Sequence, residues 1–128
     1  MTVVLDSSAL LAYLLGEPGA DVVRNALGDA HMSTVNLSEV VARLTRDHDP
    51  SALPALMESL PLHFRRPDDW LAIEAGLMAV ETSAAGLSLG DRFCLALARR
   101  MGAPALTADR PWSAVGAAVG VKVVQIRP

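Results

Sequence analysis

A single cysteine, Cys94, stands among 128 residues, so no disulfide can form within the chain. It falls inside a helical pattern beside Phe93, where a small buried hydrophobe is expected. A zinc site has no more support: His31, His48 and His63 show metal-ligand spacing neither to one another nor to Cys94. Lysine is as scarce as cysteine, with Lys122 alone against ten arginines. Arginine's planar fork suits phosphate and carboxylate better than a lysine point charge does. A compositional bias toward Arg and Ala explains the same counts, and a net charge of −3 points to no partner. Charged residues are 20% of the chain against 52% hydrophobic, richer in apolar groups than an ordinary soluble domain. Even so, no apolar run approaches about 18 residues, so no membrane helix is expected. The start of the chain lacks a basic segment, and Asp6 interrupts its first apolar run. A signal peptide is therefore not expected, and the chain is placed in the cytoplasm. Repeats, low-complexity tracts and linkers are also missing, which leaves one domain over residues 1–128.

The residues present alternate between strand and helix patterns. Thr2-Val3-Val4-Leu5 is a β-rich run that stops at Asp6, and an apolar helix through Leu15 is closed by Gly16 and Pro18. Asp21 to Leu27 reads as a second helix and Ala30 to Val35 as a second strand. Asn36 then looks like the cap of a helix with Glu39 at its third position. Leu53 to Leu60 is helical, Leu62 to Phe64 a short strand, and Asp68 to Ala85 the longest helical pattern, closed by Gly86. Ser88 opens a further helix with Asp91 three positions on, and Leu89, Phe93, Leu97 and Met101 are spaced to face a core. Gly102 ends it, Pro104 to Thr107 is a buried strand ending just short of Asp109, and a weak helix after Trp112 leads to a last strand over Val121 to Ile126. This order predicts a three-layer α/β fold with a mainly parallel central sheet flanked by helices.

Ligands of such sheets bind beyond the carboxyl ends of the strands. Asp6 and Asp109 each lie just beyond a strand, and Glu39 and Asp91 each fall near a helix start that should lie at the same edge. Taken singly, each acid also reads as a helix cap or turn former. Together they crowd four carboxylates on one rim, where mutual repulsion favours a bound cation. An all-oxygen set without His or Cys favours Mg²⁺ or Mn²⁺ over zinc. The chemistry that follows is phosphodiester hydrolysis by a water that the metal activates.

Four stretches resemble PIN-domain proteins of the VapC type, ribonuclease toxins of bacterial toxin–antitoxin pairs. They are Val4 to Ala12 with Glu17-Pro18-Gly19, Val35 to Val40, Leu87 to Arg92 with Leu95 to Ala98, and Leu106 to Asp109. The resemblance spans nearly the whole chain except residues 45–66. It implies that Asp6, Glu39, Asp91 and Asp109 bind one or two Mg²⁺ or Mn²⁺ ions, with Ser7 or Thr107 in support. It also implies cleavage of RNA, inhibition by a cognate antitoxin, and a homodimer. The helices bearing Leu10, Leu11, Leu14 and Val40, Val41, Leu44 are expected to form a groove for an antitoxin helix. The alternative reading is a catalytically idle PIN fold that serves as a protein-binding module. An aspartyl-nucleophile phosphatase would want a second Asp where Ser8 stands, and the acids of a phospho-receiver domain are laid out differently.

Overall fold

The buried triplet Val3–Leu5 forms β1 and takes the middle of a five-stranded sheet in a computed structural model that describes all of Met1–Pro128. The order is β3-β2-β1-β4-β5, with β2 Ala30–Ser33, β3 His63–Arg65, β4 Ala105–Thr107 and β5 Val123–Gln125. Every pairing is parallel, so the sheet is wholly rather than mainly parallel. Side chains alternate across it. Val3 and Leu5 pack with Leu10, Met32, Val40 and Leu44 on one face. Val4 and Ala105 pack with Leu71, Cys94, Leu95 and Trp112 on the other. Helices α1 (Ser7–Leu15) and α3 (Thr34–Leu44) contribute to the first layer, α5 (Asp69–Leu77) and α7 (Leu89–Met101) to the second. Helices α2 (Ala20–Ala26), α4 (Leu53–Ser59) and the short α6 (Ala79–Thr82) complete the chain. Asp68, the cap of α5, meets Arg100 near the end of α7 at 2.8 Å, so the two helices run antiparallel. The expected three-layer fold is present, and none of its helices is long and apolar enough to cross a membrane.

Several expectations are corrected. The second strand stops at Ser33, whose hydroxyl accepts from Val35 N at 3.2 Å and caps α3 three residues before the expected cap, Asn36. Asn36 is therefore inside the helix, and Glu39 stands in its second turn rather than at a capping-box position. The long pattern from Asp68 to Ala85 breaks after Leu77 into α5, α6 and a 3₁₀ turn. Thr82 Oγ1 and Ser83 Oγ donate to the carbonyls four residues earlier, at 2.8 and 2.6 Å. Such back-bonds compete with a regular helical ladder. On α5 the buried residues are Leu71 and Ala75, while Trp70, Ile73 and Leu77 lie exposed. On α7 the core takes Cys94, Leu95 and Ala98 along with Leu97, while Leu89 is exposed. The stretch after Trp112, expected as a weak helix, ends a 3₁₀ helix over Arg110–Ala114 and continues as turns through residue 120. Leu10, Val40 and Leu44 are fully buried, so they fill the core and line no groove.

Candidate metal and phosphodiester site

The chain runs from β1 outward through β2 to β3, then returns to place β4 on the other side of β1. The sheet thus changes direction between β1 and β4, and a cleft opens there at the carboxyl ends of the strands. Asp6, Glu39, Asp91 and Asp109 all line one cleft of about 440 Å³, with Ser7, Ser8, Leu11, Arg43, Ala108 and Arg127. The fold brings together all four acids that the sequence singled out.

Asp6 follows β1 directly and caps α1, accepting from Ala9 N at 2.9 Å. Ser8 donates to both of its oxygens, at 2.8 and 3.0 Å, and Thr107 Oγ1 donates to Oδ2 at 2.7 Å. Thr107 Oγ1 in turn accepts from Asp109 N at 3.0 Å, and Ser8 Oγ accepts from Ala108 N at 2.9 Å. A hydroxyl relay therefore ties the end of β4 to the carboxylate at the end of β1. Burial pushes the Asp6 pKa up to about 7, against these hydrogen bonds and with help from the charge of Asp91.

Glu39 is held from two sides. Ser7 Oγ donates to its Oε1 at 2.5 Å and Asn36 Nδ2 at 2.9 Å. The Asn36 amide also donates to the Gly90 carbonyl at 3.0 Å, joining α3 to the first turn of α7. A Cβ at Gly90 would collide with the Glu39 carboxylate, so glycine here leaves that carboxylate its place. Asp91 stands next in sequence and completes a capping box with Ser88, accepting from Ser88 N at 2.8 Å. Burial raises its pKa, and the charges of Asp109 and Glu39 add to the rise. The Asp109 side chain makes no cap hydrogen bond. So the capping reading is correct for Asp6 and Asp91 and insufficient for Glu39 and Asp109.

None of the four acids pairs with a basic side chain. Glu39 Oε2, Asp91 Oδ1 and both Asp109 oxygens have no hydrogen bond. The donor set is all oxygen and carries uncompensated negative charge, which fits a hard divalent ion. With the side chains as they lie, no group of three His, Cys, Asp or Glu is arranged to hold an ion. One oxygen of Glu39 and one of Asp91 are turned toward protein partners. Sequence reading missed Asn36 as the joint between α3 and α7, Ser8 as a support of Asp6, and Arg43 and Arg127 on the rim. Asn36 was readable from its place three residues before Glu39, but the strand boundary hid it.

The raised carboxylates make a pH prediction for the protein in EDTA. Between about 4 and 7 native Asp6 holds a proton that the unfolded chain has lost, so stability falls as pH rises through that window. Asp91 acts in the same direction. His31, kept below its ordinary range by burial and by His63, acts oppositely below its usual pKa. The diagnostic is therefore a difference: urea midpoints at pH 5, 6 and 7 should decline more steeply for the wild type than for Asp6→Asn. Parallel profiles would show that Asp6 is ionised throughout.

A family model described as PIN domain matches residues 3–118. No curated protein matches the chain in sequence. Among solved structures, a chain of DNA-bound VapBC from Salmonella typhimurium superposes with a TM-score of 0.74 at 16% identity, covering 98% of each chain. A chain of a toxin–antitoxin complex from Klebsiella pneumoniae gives 0.77 at 15% identity, again over 98% of each. VapC20 of Mycobacterium tuberculosis, a toxin that cleaves the sarcin–ricin loop, gives 0.74 at 20% identity over 90% of this chain and 95% of that one. At these identities the likeness establishes a shared fold.

Proposed function

The chain belongs to the PIN-domain family, and from that premise we propose that it is a divalent-metal-dependent endoribonuclease and the toxin of a toxin–antitoxin pair. One observation carries the reading: four carboxylates without a cationic partner line a single cleft at the point where the sheet changes direction. A bound Mg²⁺ or Mn²⁺ would acidify a water for attack and neutralise charge on the phosphoryl oxygens. Asp109, Glu39 through Oε2, Asp91 through Oδ1, and Asp6 would hold the ion. Thr107 and Ser8 position Asp6, and Ser7 and Asn36 position Glu39. The cleft supplies no histidine, so the chain itself offers carboxylates alone for proton transfer.

The cytoplasmic placement and an antitoxin partner belong to the same reading. Its homodimer has support in the exposed ridge of Trp70, Ile73, Leu77 and Val80, an apolar surface of the kind that marks interaction sites. The test of the activity is direct. Purified protein should cut a mixed pool of loop-containing RNAs with Mg²⁺ or Mn²⁺, stop on addition of EDTA, and resume when the ion is restored. Failure to cut any RNA with either ion contradicts the reading.

A further inference from the structure

Two cations line the acid cleft, Arg43 and Arg127. Arg127 is partly engaged, since its Nη1 donates to the Pro18 carbonyl at 3.2 Å. Arg43 is held more loosely: no hydrogen bond fixes its guanidinium, and its one ion pair runs to Asp47, four residues on. The carboxylate it approaches, Asp47, remains at 3.7 Å, beyond hydrogen-bond range.

Arg43 also stands four residues after Glu39 on α3, the favourable order for a helical ion pair. That pair does not form: Ser7 and Asn36 hold Glu39 Oε1, and the Arg43 guanidinium lies toward Asp47. The guanidinium therefore lines a negatively charged cleft without pairing with any of its four acids. A phosphodiester approaching four carboxylates is repelled unless a cation on the same wall offsets them. Arginine's fork fits two phosphate oxygens at once.

We propose that Arg43 binds a non-bridging phosphate oxygen of the RNA strand in this cleft. The proposal rests on the nuclease reading and assigns to Arg43 the substrate's backbone rather than the metal. The test measures binding of a short single-stranded RNA across a range of salt, with Ca²⁺ replacing Mg²⁺ to slow cleavage. Arg43→Gln, which keeps most of the packing, should bind about 10–100-fold more weakly. Its log–log salt slope should be shallower by about 0.7, one phosphate contact on a single strand. Arg43→Lys should keep the slope and lose part of the affinity, because charge survives but the fork does not. The Mg²⁺-induced rise in melting temperature should match wild type in both variants. An unchanged slope and affinity in Arg43→Gln overturns the proposal, as does a gain in Mg²⁺ affinity with no change in RNA binding. Wild-type protein that neither binds nor cuts RNA overturns the nuclease reading as well, and that result differs from either of these.

Discussion

Asp91→Asn is expected to slow RNA cleavage by about 10²–10³-fold, the size of losing one preorganised electrostatic contact to the reacting phosphate. The fold should survive the change. Asp91 closes a capping box by accepting from Ser88 N, and an asparagine carbonyl can accept the same bond. The lost element is one negative charge beside Asp109 and Glu39, both of which act electrostatically on Asp91. Single-turnover cleavage at saturating Mg²⁺, with urea unfolding as the control, separates the two roles. A variant that cuts at the wild-type rate in a contamination-controlled assay removes Asp91 from the site. A slow variant that is also unstable would return Asp91 to the status of a cap.

Trp112→Ala is expected to cost about 3–5 kcal/mol, a large share of the roughly 5–15 kcal/mol that holds an ordinary domain folded. Trp112 is the largest fully buried side chain and packs in the cluster with Val4, Leu95, Ala105, Val119 and Val121. It also sits three residues after Asp109, and its backbone N–H donates to the Asp109 carbonyl at 3.3 Å. The core on this face therefore fixes where the Asp109 backbone stands. The indole N–H is buried without a partner. Trp112→Phe should cost much less than Trp112→Ala, since it keeps most of the apolar volume and removes an unpaired donor worth about 1–3 kcal/mol. Urea midpoints at constant slope measure both. Equal losses in the two variants would mean that the apolar ring volume kept by phenylalanine contributes little here, and a loss near zero for alanine would mean that the site collapses without cost.

The fold class was legible because the turn chemistry agreed with the hydrophobic pattern. Gly16, Gly86 and Gly102 were each expected to close a helix or helical stretch, and each has the positive φ that such an end requires. Ser88 and Asp91 formed the expected capping box. Helix α3 was misplaced because Ser33 and Asn36 are both good caps. Local sequence does not choose between them, whereas the strand ending at Ser33 does. Helix α5 offers two apolar faces. Trp70, Ile73 and Leu77 make one apolar face, and Leu71, Ala75 and Met78 make another. Only packing against α7 decides that the second goes inside.

The acids of the site were readable as residues standing just after strands and near helix starts, and the parallel sheet did bring them to one cleft. Their hydrogen bonds were not readable, because each links residues distant in sequence. Thr107 reaches Asp6, and Asn36 reaches Gly90. Arg43 escaped notice because spacing alone suggests a routine surface pair with Glu39. That pair is absent: Ser7, from a different helix, takes Glu39 Oε1, and Arg43 lies toward Asp47.

The central claim, that four acids form one cation site rather than four caps, is tested most directly at Asp109, whose side chain makes no cap bond. The measurement is the melting of wild type and Asp109→Asn in EDTA and in tenfold steps of Mg²⁺. In EDTA the variant should be at least as stable as wild type, because one charge facing Asp91 is gone. Mg²⁺ should reverse the order, since an ion that binds only the folded state adds about 2.7 kcal/mol at roughly 100 times its Kd. The variant should gain much less. Equal Mg²⁺-induced shifts in the two proteins, or no shift in either, would contradict the account.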